Sequence, residues 1–156
     1  MPSLKSIRAL ELAPRSKPSN YPPEFAARVA GREKRILGDL FGLQSFGVNL
    51  VKLLPGSVSA LHHRHRRQDE FIYVLSGNPT VITDDGEERL ESGRCIGFSA
   101  GGTAHHLENR EGVDALYLEI GDRQPGDAGE YPRDDLSATL APDGTWIFTR
   151  KDGTPF

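Results

Sequence analysis

Residues 62–75, HHRHRRQDEFIYVL, decide the fold of this chain and concentrate its chemistry. Three of the five histidines in the whole sequence lie here, and the other two lie together near residue 105. Alternate residues of a β-strand point to the same face, so His63 and His65 can reach one ion together. Glu70 opens the strand-like run that follows, and His105 opens a later one. Three neutral imidazoles and one carboxylate suit a first-row divalent metal, so we predict these four residues to be its ligands.

The same alternation assigns faces to the neighbouring side chains. If His63 and His65 point inward, His62 points outward with Arg64, and each proposed ligand lies at the head of an inward apolar stripe. The alternative is that the histidines cluster by chance in an arginine-rich surface loop. We favour the metal site because all the spacings agree with strand geometry. His62 and His106 are predicted to be supporting, surface or interface residues and not ligands.

Short strand-like runs separated by turns predict an all-β fold. The runs include residues 46–54, 58–65, 70–75, 80–83, 95–98, 105–109 and 113–120, with turn residues such as Pro55-Gly56 and Asp84-Asp85-Gly86 between them. No helical period separates these runs, which indicates an antiparallel sandwich or barrel. Asp84-Asp85-Gly86 is also a hairpin signal.

We divide the chain into three parts. Residues 1–35 form a proline-rich N-terminal arm, residues 36–122 form the β-barrel, and residues 123–156 form a polar C-terminal tail with one late strand, 146–149, that packs on the barrel. The run 71–75 is apolar on both faces, so its outer face needs a cover. The arm, the tail or a second subunit would provide it, and we predict a homodimer.

Composition excludes several classes of partner. The 156 residues carry a net charge of −3, which argues against a nucleic-acid or anionic-membrane surface. No long apolar stretch is present, and residues 1–12 lack the apolar region of a signal peptide. The single Cys95 cannot form an internal disulfide, which fits a reducing cytoplasm, and we expect it to be a small buried residue.

Two spaced motifs resemble those of the cupin superfamily. The first is Pro55-Gly56 followed by His63-x-His65-x4-Glu70-x6-Gly77, and the second is Gly93-x5-Ser99-x-Gly101 followed by His105-x3-Asn109. Residues 35–39 and 148–155 are similar to a group of bacterial single-domain cupins, some of which are labelled sugar-phosphate isomerases. The resemblance implies a double-stranded β-helix, or jelly-roll barrel, that is often dimeric and holds one divalent metal: Mn, Fe, Ni or Zn.

The resemblance does not select a single function. The first hypothesis is a metal-dependent enzyme that acts on a small chelating metabolite, most concretely a sugar or sugar-phosphate isomerase. The second is an iron-dependent dioxygenase, and the third is a non-catalytic cupin that binds a metal or small ligand. Four protein ligands on an ion that accepts five or six leave room for substrate, which is typical of a catalytic site.

Four further residues are candidates for contact with a small-molecule ligand. Arg66 and Arg67 lie between two ligand-bearing strands, where a guanidinium would bind a carboxylate or phosphate, although we favour an ordinary solvated loop as the explanation. Asn49 and Tyr117 are candidate polar groups of the pocket on neighbouring strands. Either would otherwise be an ordinary barrel residue with satisfied hydrogen bonds.

Overall fold

Strands account for nearly all the regular structure of the chain. The computed structural model describes residues 5–156, so residues 1–4 of the predicted arm lie outside the described part. Two short helices occur, α1 (Pro23–Ala26) and α2 (Leu37–Leu40), with 3₁₀ turns at Ala9–Glu11 and Ala27–Val29. The strands are β1 (Arg32–Ile36), β2 (Phe46–Leu53), β3 (Arg64–His65), β4 (Glu70–Ser76), β5 (Thr80–Thr83), β6 (Gly86–Arg89), β7 (Cys95–Phe98), β8 (His105–Glu108), β9 (Ala115–Asp122), β10 (Ala128–Glu130), β11 (Ser137–Leu140) and β12 (Trp146–Thr149).

The strands form three antiparallel sheets that together make the predicted jelly roll. The five-stranded sheet has the order β1-β2-β9-β4-β7, the four-stranded sheet β12-β11-β10-β3, and the three-stranded sheet β6-β5-β8. The order is not sequential, because strands from distant parts of the chain pair with one another, as in a double-stranded β-helix. An isolated bridge between His63 and His105 links the stretch before β3 to β8. The all-β prediction is therefore confirmed.

Strand β4 shows the two-residue alternation on which the sequence argument depends. Ile72 and Val74 are buried, whereas Phe71, Tyr73 and Leu75 are each 39% exposed. The inward pair belongs to the main core, with partners from both sides of the barrel: Val51, Leu53, Val81, Leu90, Phe98, Leu107, Ala115 and Tyr117. The inward direction of Glu70 follows from the same alternation.

The stretch 58–65 is not the continuous strand that the sequence predicts. Only Arg64–His65 is regular strand, with single bridges at Val58 and His63. The backbone ladder with β8 is interrupted because the Leu107 N–H donates to the Ser59 hydroxyl oxygen, 2.8 Å away, and not to a main-chain carbonyl. The predicted hairpin is present: β5 pairs with β6 across the Asp84-Asp85 turn.

The arm and the tail pack together at one end of the barrel. The Arg15 N–H donates to the Lys34 carbonyl at 2.9 Å, so the arm runs beside β1. A second core joins Leu61, Tyr131, Leu136 and Ala138 to Tyr21 and Phe25 of the arm and to Trp146 and Phe148 of the tail. Strand β1 starts at Arg32, inside the segment assigned to the arm, and the three-part division of the chain stays a prediction.

The outer face of β4 remains exposed beside β7, and Cys95 lies there. The expectation that Cys95 is buried is wrong, because Cys95 pairs with the outward-facing Tyr73 and is exposed. Across residues 5–156, the helices are too short and too polar for any of them to cross a bilayer.

Candidate metal centre

The four predicted ligands come from three parts of the chain that the fold brings to one end of the barrel. His63 directly precedes β3 and His65 ends it, while Glu70 and His105 are the first residues of β4 and β8. Two main-chain hydrogen bonds between His63 and His105, at 3.1 and 2.8 Å, fix those two residues side by side. The backbone therefore sets the position of each functional side chain before any ligand binds.

All three imidazoles direct Nε2 at the carboxylate of Glu70. The Nε2 atom of His105 lies 2.7 Å from Glu70 Oε2, and that of His63 lies 3.5 Å from the same oxygen. His65 Nε2 lies 3.7 Å from Glu70 Oε1. Donor atoms of His63, Glu70 and His105 all lie within 4.8 Å of one another, and His65 stands just outside that tight group.

The opposite nitrogen of each ring has an acceptor of its own. His63 Nδ1 lies 2.8 Å from the Leu61 carbonyl, and His105 Nδ1 lies 3.2 Å from the Thr103 carbonyl. His65 Nδ1 lies 2.6 Å from the carboxylate of Asp127, whose side chain is fully buried. These acceptors favour a proton on Nδ1 and leave the Nε2 lone pairs directed at Glu70.

This arrangement fits a divalent cation. Three lone pairs and a carboxylate converge on one place, where only a cation or shared protons would relieve their mutual repulsion. Burial raises the pKa of Glu70, but without an ion the hydrogen bonds that His105 and His63 donate when Nε2 is protonated outweigh it and hold that pKa well below its ordinary value. Burial lowers the pKa of His63, and the Glu70 carboxylate more than reverses that effect, so the net change raises it. The carboxylate is therefore ionised and available as a ligand.

Aromatic rings hold the imidazoles in place. The ring of Phe98 stacks on His105 with centroids 3.5 Å apart and planes within 4°. Tyr131 stacks on His63 at 6.0 Å, and Trp146 meets the edge of His65 at 5.8 Å. These contacts restrict ring rotation and so favour the converging arrangement.

The centre opens into a cavity of about 650 Å³, large enough for a small metabolite. His63, His65 and Glu70 line it on the barrel side. The arm contributes residues 15 and 19–21, and the tail contributes residues 140–142, 144, 146 and 148. The arm and the tail thus form part of the cavity wall, a role that the sequence did not suggest.

The predicted ligand-contacting residues divide into two groups. Asn49 lines the cavity and donates to Glu119 Oε2 at 3.1 Å. Arg66 is exposed and paired with Glu130 at 2.6 Å, and Arg67 Nη1 lies 3.4 Å from the Pro125 carbonyl, so neither guanidinium lines the cavity. Tyr117 is fully buried in the main core and is also absent from the cavity wall.

The other two histidines form a separate cluster behind the centre. His62 is buried and does not point into solvent, and its Nδ1 lies 2.9 Å from Nδ1 of His106. The remaining ring nitrogens meet carboxylates, His62 with Asp84 at 2.8 Å and His106 with Glu108 at 3.0 Å. Because His62 and His106 are next to His63 and His105 in sequence, this cluster braces the two ligand-bearing segments from the outside.

Sequence reasoning did not find Asp127, Glu119 or the basic residues of the arm. Asp127 lies in the polar tail, where no spacing relates it to His65. Glu119 alternates with Tyr117 on β9, and an inward position for it would follow once Tyr117 is assigned inward. Arg15 and Arg32 lie in the proline-rich arm, for which the sequence suggests only one role, that of covering the outer face of residues 71–75.

Comparison with known proteins agrees with the fold and the motifs. Residues 49–121 match the model of the cupin domain family. A sugar phosphate isomerase of the cupin superfamily from Silicibacter pomeroyi is 37% identical, with 97% of this chain and 96% of that chain covered and a TM-score of 0.90. A candidate sugar phosphate isomerase from Acidithiobacillus ferrooxidans is 28% identical over 80% of each chain, with a TM-score of 0.72.

A curated relative matches over a shorter region. The tetracenomycin polyketide synthase protein TcmJ of Streptomyces glaucescens is 34% identical over 65 residues, and the match spans 42% of the length of each protein. The full-length similarity and the domain match together identify the family. This chain is a member of the cupin superfamily.

Proposed function

We propose that this cupin is a metal-dependent enzyme that isomerises a small sugar or sugar phosphate. The observation that carries the proposal is the convergence of three Nε2 atoms on Glu70 at the wall of a cavity of metabolite size. His63, His65, His105 and Glu70 would hold the ion. When bound, a divalent ion supplies Lewis-acid polarisation of a carbonyl or hydroxyl oxygen. The relatives from Silicibacter pomeroyi and Acidithiobacillus ferrooxidans, which cover 97% and 80% of this chain, are both named as sugar phosphate isomerases, and these names favour the same reaction class.

An aldose–ketose isomerisation also needs a group that moves a proton between neighbouring carbons, and we propose Glu119 for this role. Glu119 lines the cavity, and its Oε2 accepts from Lys34 Nζ at 2.9 Å and from Asn49. Burial raises the pKa of Glu119, but the charge of Lys34 outweighs it and keeps that pKa below its ordinary value. The carboxylate is therefore ionised near neutral pH, as a proton acceptor must be.

The rest of the cavity positions the substrate and excludes water. Asn49 holds the Glu119 carboxylate from one side, and its own strand β2 lies between β1 and β9. Tyr21 and Trp146 close the wall from the arm and the tail. Such closure strengthens electrostatic interactions inside the site and limits side reactions with water.

The reaction class is tested by proton exchange. Metal-loaded protein is incubated without oxygen in D2O with a panel of aldoses, ketoses and their phosphates, and ¹H NMR follows the carbon-bound protons. We expect one substrate to interconvert with its isomer and to exchange the transferred proton. The Glu119→Gln variant should keep its metal and lose the exchange, whereas Glu88→Gln on the exposed surface of β6 should retain it.

Two other outcomes would replace the proposal. Turnover that requires oxygen would identify an iron-dependent dioxygenase. A ligand that raises the melting temperature, yet is recovered unchanged with all its protons, would identify a non-catalytic binding protein.

We also propose that the chain acts as a homodimer in the cytoplasm. The outward side chains of β4, Phe71, Tyr73 and Leu75, form an apolar strip beside the exposed Cys95. The arm and the tail line the cavity and leave this strip uncovered within the described chain. A second copy of the same strip would remove it from water.

A further inference from the structure

The cavity contains two arginines that lack a counter-charge. Arg32 projects from β1 and is only 8% exposed, and Arg15 reaches the same cavity from the arm. Among the described residues, neither guanidinium forms an ion pair, whereas most other arginines have a carboxylate within 4 Å, as Arg64, Arg110 and Arg123 do. An uncompensated cation in a partly buried site is costly, so this pair requires an explanation.

Both arginines also have a buried nitrogen without a hydrogen-bond partner. Arg32 donates to the carbonyls of Ser59 and Pro18, and Arg15 donates from Nη2 to Pro18 at 2.8 Å. The Nε atoms of Arg15 and Arg32 are buried and unpaired in the described chain. Buried polar groups almost always have partners, so unpaired N–H groups on two guanidiniums that line one cavity indicate a missing acceptor.

The carboxylates of the cavity wall do not supply that acceptor. Glu119 is committed to Lys34 and Asn49 through Oε2, and Glu70 is surrounded by the three imidazoles. Asp39 is paired with Arg123. Asp69 and Asp122 also line the cavity, but each accepts a main-chain N–H, so none of these carboxylates forms an ion pair with Arg15 or Arg32 among the described residues.

The repulsion between the two guanidinium groups affects the pKa of Arg15. Burial and then the charge of Arg32 lower the pKa of Arg15, and the charge of Glu119 offsets only part of this change. A bound anion would oppose both effects, because its negative charge and its hydrogen-bond acceptors stabilise the charged guanidinium.

The geometry of β1 explains why these residues meet. Arg32, Lys34 and Ile36 alternate along the strand, and all three line the cavity, whereas Glu33 and Arg35 face away. The arm folds back beside this strand through the Arg15–Lys34 main-chain bond and so brings the second guanidinium to the first. The two groups form a built site with one part on the barrel and one part on the arm.

We propose that Arg15 and Arg32 form an oxyanion subsite that binds the phosphate or carboxylate group of the ligand whose chelating oxygens face the metal centre. The proposal rests on the proposed function, because both ends of one ligand would share the cavity. The planar guanidinium presents paired N–H donors that match the oxygens of either anion. The substrate class is accordingly an anionic sugar derivative, a sugar phosphate or a sugar acid, and not a neutral sugar.

The test uses the metal-free full chain, so that an anion cannot bind through a metal ion. Inorganic phosphate and acetate are titrated separately at low ionic strength, with ³¹P NMR line width for phosphate and calorimetry for both. We expect binding of at least one anion, and its identity separates a phosphate site from a carboxylate site. Arg15→Gln should weaken that binding about tenfold or more, the loss expected for one charge-assisted hydrogen-bond donor.

Two variants and one control keep the test decisive. Arg32→Gln also removes the hydrogen bonds that Arg32 donates to the carbonyls of Ser59 and Pro18. Arg32→Lys, which keeps the charge, is therefore tested beside it and should bind the anion with an affinity between those of wild type and Arg32→Gln. Arg89→Gln changes the same charge on the exposed strand β6 and should bind like wild type. Melting curves without anion confirm that each variant folds.

The proposal is overturned if neither anion binds metal-free wild type, or if Arg15→Gln and Arg32→Lys bind as well as Arg89→Gln. Metal content and deuterium exchange are measured on the same samples. A chain that binds metal and exchanges protons but ignores both anions would refute the subsite alone. A chain that binds phosphate but takes up no metal would refute the proposed function alone.

Discussion

At the scale of single residues, each imidazole of the metal centre is held from two sides, by Glu70 near Nε2 and by a second acceptor near Nδ1. The two-residue spacing of His63 and His65 predicts that both imidazoles reach one point, and both Nε2 atoms do face Glu70. What the sequence could not predict is how each ring is held. The acceptors of Nδ1 are two main-chain carbonyls and Asp127, 62 residues beyond His65, and only the folded chain brings them into place.

Asp127 offers the sharpest test of that supporting layer. It accepts from His65 Nδ1 at 2.6 Å and from the Arg67 N–H at 2.8 Å, so both of its oxygens act as acceptors. In Asp127→Asn, one of these atoms becomes an NH2 group that faces a donor. We expect metal affinity to fall about 10- to 100-fold, as for other carboxylates that orient a histidine ligand.

Competition with a chelating dye measures this affinity. Asp135→Asn, a tail carboxylate bound to the Lys151 N–H, serves as the control. Equal affinities for Asp127→Asn and wild type would show that the carboxylate does not orient His65.

At the scale of the element, alternation predicted the faces of β4 but failed for residues 58–65. Ile72 and Val74 point inward because the strand is regular, whereas Ser59 replaces a backbone acceptor with its hydroxyl and interrupts the ladder. A side chain that substitutes for the backbone leaves no signature in hydrophobic spacing. The same limit explains why His62, predicted to face outward, is buried against His106.

A half-buried ion pair links the edge strand β1 to β9 and predicts a pH dependence of stability. Lys34 spans β2 to reach Glu119, whose pKa is lowered in the folded state. A lowered carboxylate pKa contributes stability that is present above the unfolded value of 4.5 and is lost as the pH falls through the folded value. We therefore expect the free energy of unfolding to decrease as the pH falls from 4.5 towards the folded pKa of Glu119.

In Glu119→Gln the acid-dependent loss should be smaller. At neutral pH this variant should be less stable by roughly 1–3 kcal/mol, because Lys34 keeps its charge without a partner. Urea unfolding between neutral and acid pH measures both effects. An unchanged acid slope in the variant would show that the pair does not link the two strands energetically.

At the scale of the whole molecule, the sequence predicted a jelly roll with an arm and a tail but not what these segments do. Both were candidates for covering the outer face of β4, whereas they line the cavity at the barrel end. Composition cannot distinguish these roles, since a proline-rich segment packs equally well on either surface. The apolar strip of Phe71, Tyr73 and Leu75 is consequently left for another partner.

The proposed homodimer predicts that one charge on this strip separates the subunits. Tyr73→Lys should convert a dimer into a monomer, because a lysine would be desolvated at the centre of the interface. Light scattering coupled to size-exclusion chromatography measures the mass. Val113→Lys, at a loop residue that is 63% exposed, should leave the dimer intact. A monomeric wild type, or a dimeric Tyr73→Lys, would contradict the proposal.

The metal content of purified protein tests the central claim most directly. Elemental analysis is carried out on wild type, His63→Ala, His65→Ala and His62→Ala. It distinguishes His63 and His65, which face Glu70, from His62, which faces His106 on the other side of the same segment. We expect about one equivalent of a divalent transition metal in wild type and in His62→Ala, even though the latter loses buried contacts and melts at a lower temperature. His63→Ala and His65→Ala should contain little or none, and equal metal content in all four proteins would contradict the account.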